Sequence, residues 1–138
     1  MCSSDLLTPK TKTILIGGGL IFLASGIPWW IIDYNTYLSN ISYSFASMGL
    51  CMLGALILGS FTDLKYKEKV MVALASHMLA FLSKVFLDTL EDPTNHNLFP
   101  FEIIIFLIKE GPLVLALVAM GHFLRKAVKK SKGNQAQL

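Results

Sequence analysis

Four apolar blocks, each about twenty residues long, decide what this chain can become. They lie at about 13–32, 41–62, 70–90 and 101–124. A helix rising about 1.5 Å per residue needs roughly twenty apolar residues to cross about 30 Å of hydrocarbon. Lipid offers backbone groups no hydrogen-bond partners, so each block must bond within itself as a helix. Charged residues make up 15% of the 138, against about 25% in ordinary soluble domains, and hydrophobic ones 54%. The blocks use up most of the chain. The reading is an all-α, four-transmembrane-helix bundle with short loops, a single integral membrane domain over 1–138 with a basic tail at 125–138.

Charge placement orients the bundle. Lys10 and Lys12 precede the first block, Lys65, Lys67 and Lys69 separate the second from the third, and Arg125, Lys126, Lys129, Lys130 and Lys132 follow the fourth. The other two loops hold Asp33, Glu91, Asp92 and Glu102 and no Lys or Arg. With four crossings, the basic segments share one side, and the positive-inside rule makes that side, with both termini, cytoplasmic. The run "RKAVKKSK" then reads as a stop-transfer flank attracted to anionic lipid headgroups, not as a nucleic-acid site, and the segment "KSKGNQAQL" reads as disordered. "KTKTILIGGGLIFLASG" also has the make-up of a secretory signal. Its apolar run continues through "IPWWII", long for a signal core, so the block is kept as a span.

Within the spans the small residues are patterned. Ser47, Cys51, Ala55 and Gly59 recur every four residues, and Gly49 and Gly54 add a second narrow face, so the second span belongs at the centre of the bundle. Cys51 reads as a small packing residue; with Cys2 it makes neither a disulfide framework nor a zinc spacing. Gly17, Gly18 and Gly19 likewise favour close helix approach. Trp29, Trp30, Tyr34 and Tyr37 read as an interfacial aromatic belt. Asn40-Ile41-Ser42 fits a glycosylation sequon but abuts a span and is taken as chance. Pro100 suits a first helical turn, and Pro112 removes a backbone hydrogen bond inside the fourth span.

The ionisable residues are the functional signal. His77, Lys84 and Asp88, with Ala73 and Ala80, occupy one stripe of the third span, which must face protein or water. Lys109 and Glu110 stand together in the fourth. Counting depth from the loop between these helices predicts that Lys84 meets Glu110 and Asp88 meets Lys109. These residues form either a latch that sets helix register or a polar site for an ion, proton or headgroup.

Sharper chemistry finds less support. His77 and His122 are candidates for haem ligation, but helix rise puts their depths about 6–7 Å apart. Glu91, Asp92, His96 and Glu102 could ligate a divalent metal, yet their spacing matches no metal signature. The favoured function is a multi-pass membrane protein acting through helix contacts: an accessory, assembly or stabilising subunit of a larger membrane complex. Its partners are membrane lipids and other membrane chains or further copies of itself. The alternative is a small transporter or polar-ligand binder built on Lys84, Asp88, Lys109, Glu110 and His77. A third is a membrane enzyme using the outer-loop acids and His96.

Overall fold

A computed structural model describes residues 8–31, 41–94 and 98–135, with side chains at 8–31, 49–94 and 98–131. The described residues form four helices and no strand: α1 (Pro9–Ile31), α2 (Ile41–Phe61), α3 (Tyr66–Glu91) and α4 (Phe99–Gln135). Three of them, α1, α3 and α4, are long and apolar enough to cross a membrane, and α2 carries an apolar stretch over Gly49–Phe61. Tyr34, Tyr37, Asp33, Asn40, His96 and Cys2 lie outside the described residues, and the side chain of Ser47 is not described either.

Local chemistry sets the helix ends. Thr8 caps α1, its Oγ1 accepting the Thr11 N–H at 3.2 Å, with Pro9 in the first turn, where its missing N–H costs nothing. Glu68 accepts the Lys65 N–H at 3.0 Å at the start of α3. Pro100 falls in the first turn of α4 as its sequence position predicts. Two boundaries differ from expectation. The helices α1 and α3 each begin four residues earlier than their apolar blocks, because hydropathy does not register basic residues that continue a helix. For the same reason α4 runs through the basic tail to Gln135, so most of the segment taken as disordered is helical. Lys, Arg, Ala and Gln are good helix formers.

Helix neighbours follow from the residues that meet. A Cβ on Gly17 would touch Leu58 and one on Gly54 would touch Ile21, so α1 and α2 run antiparallel. Lys10 reaches Glu68 and Trp30 reaches Ser83, so α1 and α3 run parallel. Gly59 faces Gly121 while Asp63 meets Arg125 and Lys129, so α2 and α4 are parallel too. His77 meets Glu110 and Tyr66 meets His122, making α3 and α4 antiparallel. Around the bundle the order is therefore α1, α2, α4, α3, with the α2–α3 connection crossing a diagonal.

The core is built from small and branched side chains. Ile21, Cys51, Ala55, Leu58, Leu64, Ala73, Val114 and Val118 form one buried cluster, and Trp29, Ala80 and Phe106 a second. Cys51, Ala55 and Gly59 are all buried on one face of α2, as their spacing predicts. That face packs on α4, while Gly54 turns toward α1. Large apolar residues cover the outside instead, among them Ile16, Ile31, Met71, Phe86 and Ile108. An apolar exterior around a partly polar interior suits hydrocarbon surroundings and marks the chain as a membrane protein.

Candidate functional site

The stripe read on the third span is a real inner face of α3. Ala73, His77, Ala80 and Asp88 are buried along it, and Lys69 extends it by one step toward the start of the helix. Lys69 stands between the second and third apolar blocks in the sequence, yet its spacing of four from Ala73 puts it on the same face. It is fully buried, and its Nζ donates to the Gly59 carbonyl at 2.5 Å.

At the centre His77 Nε2 lies 2.6 Å from Glu110 Oε2, joining α3 to α4. His77 is 1% exposed and Glu110 7%. Aromatic rings enclose the pair. The His77 ring centroid is 5.4 Å from that of Trp29 and 4.7 Å from that of Phe106, and Phe81 stacks on Phe106 at 4.7 Å. Cys51 of α2 lies beside the imidazole, whose Nδ1 is buried without a hydrogen bond. All four helices thus contribute to the surroundings of one histidine.

The expected cross-helix pairs are not the ones formed. Lys84 Nζ sits 2.6 Å from Asp88 Oδ1, an (i, i+4) pair within α3. Glu110 takes His77 instead, two turns nearer the start of α3 than Lys84. Lys109 is exposed on the outer surface of α4 and meets neither Asp88 nor any other described acid. The reason is rotation: successive residues of a helix point about 100° apart, so Lys109 and Glu110 cannot both face α3.

Trp29 also departs from expectation. It is 4% exposed and packs among His77, Phe81 and Phe106, a core residue and not an interfacial anchor. It continues the buried line Gly18, Ile21, Ser25 on α1, a helical spacing that the neighbouring Trp30 obscures in the sequence. Trp30 donates from Nε1 to Ser83 Oγ at 3.0 Å, tying α1 to α3.

The end of α2 forms a second polar cluster. Its last carbonyls would otherwise lack donors. Thr62 Oγ1 donates to Leu58 O at 2.7 Å, Lys69 to Gly59 O, and Arg125 to Ser60 O at 3.2 Å. Two cations at a helix C-terminus also complement its dipole. Arg125 and Lys129 then converge on Asp63 at 2.5 and 2.8 Å. The hydrogen bond from Lys129 and the adjacent Arg125 charge hold the Asp63 carboxyl below the usual carboxylate range.

Cofactor geometry is unfavourable. Since His77 is level with Glu110, His122 sits twelve residues away along α4, about 18 Å at 1.5 Å per residue. That exceeds the 6–7 Å expected and is too far for two ligands of one haem iron. His122 packs against Tyr66. Among the described residues no three His, Cys, Asp or Glu side chains form a metal-holding group. Asp92 accepts the backbone N–H and hydroxyl of Thr94 as a turn, Glu91 is exposed at the end of α3, and Glu102 has an interaction of its own. His96, on which the enzymatic reading depended, is outside the described residues. Comparison with known proteins finds no matching family model, curated protein or solved structure.

Proposed function

We propose that this chain is a four-span membrane protein with both termini cytoplasmic, and that it acts through its helix contacts as an accessory, assembly or stabilising subunit of a larger membrane complex. The observation that carries this reading is how the interior polar groups are used. His77 binds Glu110, Lys84 binds Asp88 and Lys69 binds a backbone carbonyl. The two contacts that cross between helices, His77 with Glu110 and Lys69 with the Gly59 carbonyl, fix helix partners and register, and with all three groups engaged little capacity is left to hold a solute. Buried pairs of this kind add specificity more than net stability.

The polar-ligand reading has one observation in its favour. His77 Nδ1 is buried without a hydrogen bond, beside Cys51. Two experiments separate the readings. Mild solubilisation followed by mass spectrometry should recover stoichiometric partner chains, and a monodisperse chain that carries none sinks the subunit reading. The double variant His77→Leu with Glu110→Leu removes the polar pair but keeps its bulk. Partner recovery at the wild-type level supports a structural pair. Loss of cellular function in a folded, partner-bound double variant favours a ligand or proton site.

A further inference from the structure

Lys109 is the polar side chain that the bundle does not explain. It is exposed on α4, and no hydrogen bond or ion pair engages it among the described residues. Counted from Phe101, where the apolar stretch begins, it stands eight residues in, or about 12 Å deep at 1.5 Å per residue. A cation at that depth on a lipid-facing surface is expensive and marks a functional contact by default. An extended Lys side chain reaches about 6 Å, which leaves the ammonium short of the headgroups even when it bends toward them.

We propose that the α4 face bearing Lys109 docks a transmembrane helix of another protein, one that carries an aspartate or glutamate level with Lys109. This deepens the subunit reading and rests on it. Among the described residues no acid is left to meet Lys109. Asp63 is taken by Arg125 and Lys129, Glu68 by Lys10, Asp88 by Lys84 and Glu110 by His77. Glu102 is also engaged, and Glu91 and Asp92 stand at the end of α3, more than two turns from the level of Lys109. A second copy docking symmetrically through this face sets Lys109 against Lys109, which repels.

The surface around Lys109 suits a helix. Pro112 and Ala116 follow it along the exposed face one and two turns on, and neither raises a bulky side chain against an approaching backbone. Pro112 also lacks the N–H that the Ile108 carbonyl would otherwise receive. The face therefore offers a cation and a hydrogen-bond acceptor one residue apart, in an apolar frame of exposed Ile105 and Ile108.

The test uses the full chain, donor-labelled, in phosphatidylcholine vesicles at pH 8. The probes are acceptor-labelled leucine-rich peptides of about twenty residues, with Asp or Leu at the position level with Lys109. Energy transfer should show at least tenfold stronger association with the Asp peptide. Lys109→Leu should reduce that to the Leu-peptide level with helical content unchanged, Lys109→Arg should keep it, and Lys109→Asp should shift the preference to a Lys-bearing peptide. Equal association of both peptides with the wild type overturns the proposal. So does an advantage that survives Lys109→Leu, or energy transfer between two labelled copies that needs Lys109. Recovery from native membranes separates the two levels of failure. A partner chain retained by Lys109→Leu refutes this surface alone, whereas the absence of any partner of the wild-type chain refutes the subunit reading.

Discussion

Replacing Gly121 by Ala should destabilise the bundle, although alanine is the better helix former. A Cβ on Gly121 would lie 2.6 Å from Leu56 O, 2.9 Å from Ser60 N and 3.0 Å from Gly59 Cα. All three are backbone atoms, so no side chain can swing aside. Ordinary contacts sit near 3.5–4.0 Å, and α2 and α4 must separate by roughly 0.5–1 Å to make room. Overpacking of this kind costs about 1–3 kcal/mol, against a propensity gain of up to about 1 kcal/mol. The net expectation is a loss of about 1–2 kcal/mol, and more for Gly121→Leu. The separation also strains the Arg125 bond to Ser60 O on the adjacent turn. Two other glycines serve as controls. Nothing lies within 4 Å of a Cβ on Gly19 or Gly49, so alanine there should be neutral or mildly stabilising. Gly17→Ala should fall between, because it meets only the Cδ1 tip of Leu58. Titration with SDS in mixed micelles, followed by circular dichroism, measures the series. A Gly121→Ala protein as stable as Gly19→Ala would refute the reasoning, since the close backbone crossing would then not exist.

Trp29→Ala should cost about 3–5 kcal/mol, as for other large core truncations, while Trp30→Ala, at a half-buried position, should cost less; equal small losses in the same titration would restore the interfacial-anchor reading. Glu110→Leu alone should cost about 3–5 kcal/mol by stranding His77, and the His77→Leu, Glu110→Leu double variant should recover most of it, a coupling that a double-mutant cycle reads directly. Asp63 gives the pH prediction. Its folded-state carboxyl titrates below the ordinary value, so its contribution is complete above the unfolded-state value near pH 4 and is lost as pH falls through the folded one. Asp63→Asn should therefore be less stable than wild type at pH 7, with the gap closing on acidification; a gap independent of pH would remove Lys129 and Arg125 as its cause.

Periodicity and small-residue spacing made much of this legible. Hydropathy located all four helices, the α3 stripe marked a face that is buried, and Cys51, Ala55 and Gly59 lie where a packing face was expected. What failed was rotation and stagger between helices. The sequence shows Lys109 and Glu110 side by side, but only one of two adjacent helical residues can turn inward. Lys84 and Asp88 instead satisfy each other along one helix. Stagger then brought Glu110 level with His77, whose neutral form carries no charge to count. The burial of Trp29 is hidden because a tryptophan pair at a span end has an interfacial meaning by composition, and only its register with Ile21 and Ser25 tells otherwise. The Gly59–Gly121 crossing was half visible: the glycine on α2 belonged to a stripe, and its counterpart had no pattern around it.

The order of helices around the bundle has a consequence for synthesis. Made last, α4 nevertheless sits between α2 and α3 and closes the ring. Lys84 and Asp88 enter the bilayer already matched, since both ride on α3. His77 has no such provision and waits for a carboxylate that emerges from the ribosome thirty-three residues later. A chain interrupted before the fourth helix thus keeps an unanswered imidazole in oil, and completion of the ring is the moment at which the nascent protein ceases to carry that mark.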